Sequence, residues 1–328
     1  MKAFEYVGAS SVEQVVKSLS SGTVVLSGGT DLINRMKDYV TSPERVVNLS
    51  DVKELSGISG NAESGVTILA GTRLADVLGS DLIKSSYPAL WQTTSEVGTP
   101  QIRNMASVGG NLMQHPRCWY YRSGFGLVPK TADGKHMLRD GDNRYGAIFM
   151  TDGDALYVHP SSLAIPLIAL GTSATLVGPE GERTIPVADL YKVPTTNEDS
   201  PFSLKSGEIL KSVSIPSATG KSGSYEARHK QSHDWPLVLA SVNLKFEGEK
   251  VADARVMVYG VAPVPWRSKA AEEAIKGQSV TLDSAKAAGE AAAAGAKPLS
   301  MNAYKVSMLK TVIARALCVT VGNRYWEA

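Results

Sequence analysis

Along residues 1–50 the apolar positions change period repeatedly. "AFEYVGA" reads as a strand, and "TVVLSGG" as the continuous apolar run of a buried one. "SVEQVVKSLSS" carries apolar residues at helical spacing behind serine caps. "TDLINRMKDYV" predicts a helix from Thr30, with Asp31 in its first turn, where an acid suits the dipole. "RVVNLS" completes β-α-β-α-β, a small α/β unit. A second unit opens with the strand "VTILAG", followed by the helical stretches "RLADVLGSDLIKSS" and "YPALWQTTSEVG" and the glycine-broken turn "QIRNMASVGGNLMQ". Residues 122–158 are polar, Gly/Asp-rich and weakly patterned, as a functional loop or an insertion is. "PSSLAIPLIALGT" then reads as a buried helix, and "SATLVG", "RTIPV" and "EILKSVSIP" as strands.

From about residue 220 the pattern changes. "SYEARHKQ", "LVLASVNLKFE" and "ARVMVYGV" alternate or run apolar, with "EGEK" as a hairpin turn. The Ala-rich helices "SKAAEEAIKG" and "SAKAAGEAAAAGA" and a final helix, "NAYKVSMLKTVIARALCV", follow. Strands and then helices predict a small α+β C-terminal domain with a three-stranded sheet.

Composition narrows the function classes. A length of 328 residues suits two or three domains, and 43% apolar against 20% charged residues is an ordinary globular balance. Lys and Arg total 34 against 32 Asp and Glu, too even for a nucleic-acid footprint. No apolar run approaches the ~20 residues of a membrane span. "MKAFEYVGAS" has neither an apolar h-region nor twin arginines. A cytoplasmic location is the expectation, with periplasmic export as the passenger of a signal-bearing partner as the alternative. Two cysteines, Cys118 and Cys318, exclude a disulfide framework. His115, His136, His159, His229 and His233 show no metal-ligand spacing, so no metal site is expected.

The candidate chemistry lies in two glycine pairs, "LSGGTDL" at 26–32 and "SVGGNL" at 107–112. Adjacent glycines imply a positive φ or a close backbone approach. Consecutive N–H groups clear of side chains form an anion-binding concavity, to which Ser, Thr and Asn side chains add donors. Two such loops could bracket a pyrophosphate. A single Gly-Gly is more often only a turn, and neither loop is a Rossmann or P-loop fingerprint.

"VVLSGGTDLINRMK" together with "TPQIRNMASVGGNLMQ" resembles the FAD-binding medium subunit of the molybdenum hydroxylases, the xanthine dehydrogenase and carbon monoxide dehydrogenase family. "VHPSSLAIPLIALGTSATLVGPEG", "GEILKSVSIP", "YGVAPVPWRS" and "KPLSMNAYKVSMLK" continue the resemblance in order down the chain. "RCWYYR" after the second loop is similar to the aldehyde oxidoreductase and hydroxybenzoyl-CoA reductase type. The resemblance implies an α+β fold. Its FAD domain would be of the vanillyl-alcohol-oxidase type, in two α/β subdomains at 1–58 and 59–218, with a C-terminal domain at 219–328. It also implies FAD against Leu26, Ser27, Gly28, Gly29, Thr30, Asp31 and Leu32 of the first loop, and Ser107, Gly109, Gly110 and Asn111 of the second. Gly98 is implied to touch the cofactor and Leu210 to pack on the isoalloxazine. At Ser162 relatives often carry an Asp that bonds the flavin, so that contact is shortened or lost here.

The implied role is electron exit. A large partner subunit oxidises an aldehyde or N-heterocycle at a molybdopterin centre, a small partner carries 2Fe–2S clusters, and FAD in this chain passes electrons to an external acceptor. Two cysteines cannot ligate such clusters. The nearest kind of relative adds a 4Fe–4S cluster bound by several cysteines after the second loop. Residues 122–158 hold none, so no 4Fe–4S cluster is expected here, and Cys118 reads as a packed thiol before a redox one. Trp119, Tyr120 and Tyr121 suit a flavin cover, a partner surface or core packing. Arg117 and Arg122 suit cofactor or acceptor charge, or plain solvation. A stand-alone FAD oxidoreductase would need an acid/base pair that the sequence does not offer. A flavin-less scaffold would not need the glycine loops.

Overall fold

The expected β-α-β-α-β unit is present in the computed structural model, which describes residues 1–327. Ala328, the end of the expected C-terminal domain, lies outside the described residues. Strands β1 (Glu5–Gly8), β2 (Thr23–Leu26) and β3 (Arg45–Asn48) form a parallel sheet in the order β1-β3-β2. Parallel pairing demands crossovers, supplied by the Val12–Ser18 and Leu32–Lys37 helices. The second helix starts at Leu32 rather than Thr30. Gly29 takes φ +70°, and the Asp31 carboxylate makes no cap hydrogen bond, so Thr30 and Asp31 belong to the turn.

Five strands form the second sheet: β4 (Ile58–Asn61), β5 (Gly65–Leu69), β6 (Ser173–Gly178), β7 (Gly181–Pro186) and β8 (Ile209–Ile215). They pair antiparallel in the order β4-β5-β8-β6-β7. Strand β4, "ISGN", was not expected; it is an edge strand with one apolar residue, so it carries no pattern. Leu74, Val77, Ile83, Leu90, Leu112 and Leu167 bury the sheet's covered face. "RLADVLGSDLIKSS" breaks into two helices where Gly79 ends one and the Ser80 hydroxyl accepts the Ile83 N–H of the next. "QIRNMASVGGNLMQ" is two helices, Pro100–Met105 and Val108–Leu112, rather than a turn. Thr99 and Ser107 cap them, and Pro100 sits at the first helical turn, which outweighs the low helix propensity of two glycines.

The C-terminal sheet has four strands, not the expected three: β9 (Lys221–Ala227), β10 (Val238–Glu247), β11 (Lys250–Tyr259) and β12 (Trp266–Arg267), in the order β12-β11-β10-β9. The addition, β12, is a two-residue edge, too short to show a period. The Lys269–Ile275, Leu282–Ala292 and Tyr304–Val319 helices cover one face and build a core with Val242, Val256, Leu309, Ile313 and Leu317. The weakly patterned 122–158 segment is tied to this domain. Ile148 and Phe149 donate their N–H groups to the Val261 carbonyl, and the buried Lys305 Nζ donates to the carbonyls of Tyr145, Gly146 and Gly260. Among the described residues no helix is long and apolar enough to cross a membrane.

Candidate functional site

The two glycine loops meet. The Ser27 hydroxyl donates to Ser107 Oγ at 2.8 Å, joining the end of β2 to the start of the Val108–Leu112 helix. A Cβ on Gly28 would stand 1.7 Å from the Met105 carbonyl oxygen, so this glycine is required by the chain's own backbone. Gly29 is required by its left-handed φ, and Gly109 by Ala70, 2.9 Å from a Cβ there. At Gly110 a Cβ would meet only the Ser107 hydroxyl, at 3.0 Å, and otherwise open space.

Donors divide unevenly between the loops. Among the described residues, the N–H groups of Gly28, Gly29, Thr30 and Asp31 donate to no other group of the chain. In the second loop the amides are taken: Val108 by the Thr72 carbonyl, Gly109 by the Ala70 carbonyl, Gly110 by Ser107 Oγ and Asn111 by the Ser107 carbonyl. Backbone donors without a partner are therefore found in the first loop and not in the second, where two donor loops were expected. The second is a helix start, where Ser107 uses its side chain as a cap.

A cavity of about 430 Å³ opens between the loops, lined by Ser27, Gly28, Gly29, Thr30, Asp31 and Leu32, by Ser107, Gly109 and Gly110, and by Leu210 on β8. A second, of about 260 Å³, continues past Thr30, Asp31, Gly110 and Gln114, which line both, to Gly98, Asn111 and Ser162. Thirteen of the fourteen expected contact residues thus line one of two adjoining cavities. Leu26 does not; its side chain packs with Leu32, Met36 and Val46. Asn111 Oδ1 accepts from the Ser161 hydroxyl, which fixes the amide at the floor of the second cavity.

Asp31 does more than answer a helix dipole. Its carboxylate meets Arg122 at 2.6 Å, Arg35 at 3.1 Å and Arg117 at 3.7 Å, and accepts the His115 N–H at 3.2 Å. Burial alone would raise its pKa, but Arg122, Arg35 and Arg117 together hold it below the usual carboxylate range. Arg117 and Arg122, candidates for cofactor charge or for solvent, are both turned onto this carboxylate. Arg35 was not singled out from the sequence; its spacing of four from Asp31 on a helix is the signal that could have found it.

His115 lines the first cavity, stacked on Tyr121 and edge-on to Phe202, and its Nδ1 is buried without a partner. Burial, with Arg35 nearby, pushes its pKa down to about 3, so the ring is neutral. Tyr121 is in an apolar cluster with Leu127, Ala155 and Tyr157, and Cys118 packs against it. Burial pushes the Cys118 thiol pKa up, which keeps it protonated and unreactive. Trp119 is 54% exposed, edge-on to Tyr145.

Comparison with known proteins supplies the family. Residues 2–218 match the family described as the FAD binding domain in molybdopterin dehydrogenase, and residues 223–319 match the CO dehydrogenase flavoprotein C-terminal domain. The chain is 26% identical to the aldehyde oxidoreductase FAD-binding subunit PaoB of Escherichia coli, over 97% of this chain and 98% of that one. It is also 26% identical to the carbon monoxide dehydrogenase medium chain of Hydrogenophaga pseudoflava, over 96% of each. The quinoline 2-oxidoreductase structure from Pseudomonas putida 86 shares the fold at a TM-score of 0.76 and 20% identity, covering 98% of each chain. The two-loop cleft is therefore that of a member of the FAD-binding-domain family of molybdopterin dehydrogenases.

Proposed function

We propose that this chain is the FAD-carrying, electron-exit subunit of a heterotrimeric molybdenum hydroxylase. The observation that carries the reading is the pairing of the free N–H row at Gly28–Asp31 with the open face of Gly110 across one cleft. Free amides on a glycine loop suit a pyrophosphate. A Cβ at Gly110 would enter the cleft, and the unpartnered Nδ1 of His115 on the same wall offers a polar contact. These residues fit FAD.

In this reading Ser27, Gly28, Gly29, Thr30, Asp31 and Leu32 hold the pyrophosphate through backbone donors, because the Asp31 side chain is committed to its arginines. Leu26 shapes the loop from behind. Ser107, Gly109, Gly110 and Asn111 form the opposite wall. Gly98, Ser162 and Leu210 would border the rest of the cofactor, Ser162 with a shorter reach than the Asp of relatives. Bound flavin supplies two-electron and one-electron redox chemistry; the protein supplies orientation. The chain would divide into a vanillyl-alcohol-oxidase-type FAD domain of two subdomains, 1–58 and 59–218, and a C-terminal domain, 219–328. Relatives named as FAD-binding subunits and medium chains support a large molybdopterin-binding partner and a small 2Fe–2S partner. Their names support an aldehyde or N-heterocycle as the substrate of the complex. Both the cytoplasm and co-export with a signal-bearing partner are compatible with this assembly.

The purified chain should be yellow and release FAD on denaturation. Gly110→Asp should abolish FAD uptake, because it places a carboxylate in the anion site with room to reach it. A colourless chain that takes up no added FAD sinks the reading, and full flavin occupancy in the variant sinks the loop assignment.

A further inference from the structure

Glu226, on β9, lines the second cavity together with Gly98, Asn111 and Ser162. Its side chain is 10% exposed, and its Oε1 accepts from Arg228 Nη1 at 2.8 Å. The same Nη1 meets Glu96 Oε2 at 2.6 Å, on a side chain that is 42% exposed. One guanidinium nitrogen thus serves two carboxyl groups, and Asp234 adds a third acid to the cavity wall. The other polar neighbours bring Glu226 no cation. Arg117 is directed to Asp31 and stacked on Trp235. His233 Nδ1 lies 3.2 Å from the Gly98 carbonyl oxygen. Tyr259, on β11, is a buried phenol whose pKa burial pushes up.

Electrostatics then divides the charge between the two acids. A carboxylate costs least where water reaches it, so Glu96 keeps the charge that pairs with Arg228. Glu226 takes a proton instead: burial, with Glu96 and Asp234 beside it, outweighs Arg228 and pushes its pKa up to about 8. With Oε1 accepting from Arg228, that proton sits on Oε2. Among the described residues Oε2 has no hydrogen-bond partner in the chain, and it is not sealed off from the cavity. A hydroxyl so placed needs an acceptor, which an occupant of the cavity can supply. We propose that Glu226 is a catalytic residue, a neutral carboxylic acid whose Oε2–H donates a hydrogen bond to the ring system of FAD in the second cavity and so favours the reduced cofactor. The proposal rests on the FAD reading. Two added electrons make the ring system a stronger acceptor, so a donor on it binds the reduced form more tightly than the oxidised one. The proton stays on Oε2 throughout. Above about pH 8 Glu226 becomes a carboxylate, and its effect changes sign.

The test is a spectroelectrochemical titration of the FAD-loaded full chain at about pH 6, where Glu226 is protonated. At a fixed potential, Glu226→Leu should lower the ratio of reduced to oxidised flavin about tenfold, and Glu226→Gln, which keeps a neutral donor, should stay within about twofold of the parent. Arg228 retains Glu96 in both variants, so no cation is stranded. Above about pH 8 the parent should fall below Glu226→Gln. A parental ratio in Glu226→Leu overturns the proposal. A second measurement needs only the parent to load: its reduced-minus-oxidised infrared spectrum should show a protonated carboxyl band that shifts on reduction, and Glu226→Gln should lack it. FAD uptake with no such band overturns the proposal alone. A chain that takes up no FAD overturns the reading beneath and the proposal with it.

Discussion

Asp31 sits among Arg35, Arg117 and Arg122 with little water, and removing its charge leaves like charges facing each other. Breaking a buried pair from one side is destabilising by about 3–5 kcal/mol. Asp31→Asn should lower the chain's unfolding free energy by that order in a urea titration; a change under about 1 kcal/mol would show the cluster to be as weak as a surface pair. The sign with pH follows from a depressed folded pKa. Stability from ionised Asp31 is complete above the unfolded value and is lost as pH falls through the folded one. His159 acts over a different window. Buried edge-on against Tyr191, with Nε2 unpaired, its pKa is pushed down to about 3 from an unfolded value of 6.5. Between those values the unfolded state binds a proton that the folded state does not, so stability falls as pH drops, by about 1.4 kcal/mol per pH unit. His159→Phe keeps the ring contact and removes the proton site. Its unfolding free energy relative to the parent should rise steadily from pH 6.5 downward, and a difference independent of pH would rule the mechanism out.

At the scale of elements, Ser107 has two jobs where Ser27 has one. It caps the Val108–Leu112 helix through the Gly110 N–H and accepts the Ser27 hydroxyl. Ser107→Ala should lower stability by about 1 kcal/mol through the lost cap, whereas Ser27→Ala should lower it less. Equal effects in thermal unfolding would mean that the bond between the loops, not the cap, dominates. Ser107 also shows what was legible in the sequence. The two glycine loops could be read there, because glycine pairs act locally, and the resemblance to the molybdenum hydroxylase FAD subunits pointed to thirteen of the residues that line the two cavities. The uneven division of donors could not be read. It depends on the Thr72 and Ala70 carbonyls, which another segment brings to the second loop. The same holds for Gly28, whose need for glycine comes from Met105 rather than from a ligand. Strand periods gave β5, β6, β8 and the C-terminal hairpin, but the edges β4 and β12 are too short or too polar to carry a period. The 122–158 segment looked unstructured because its contacts are scattered: Ile148 and Phe149 in the C-terminal core, Leu127, Ala155 and Tyr157 in a small cluster.

At the scale of the whole molecule, the two adjoining cavities draw walls from all three sheets. The β2 loop comes from the first sheet, Leu210 from the second, and Glu226 on β9 from the third. A ligand filling both cavities would bind the folded arrangement of the sheets and lose its site when any one of them opened. Mass action then sets the size of the effect: at a hundred times its Kd, FAD should stabilise the chain by about 2.7 kcal/mol. The distribution of that gain tests the architecture better than its total. Amide hydrogen exchange should slow at Gly28–Asp31, where the N–H groups have no partner in the chain, and also around Leu210 and Glu226, which lie on separate sheets. The Val108–Asn111 amides, already bonded within the protein, should change less than those of the first loop. Gly110→Asp should remove all of these changes together, because one blocked site releases every wall. Protection confined to the first loop would mean that the cofactor occupies only the cavity of about 430 Å³ and that the second cavity serves another ligand.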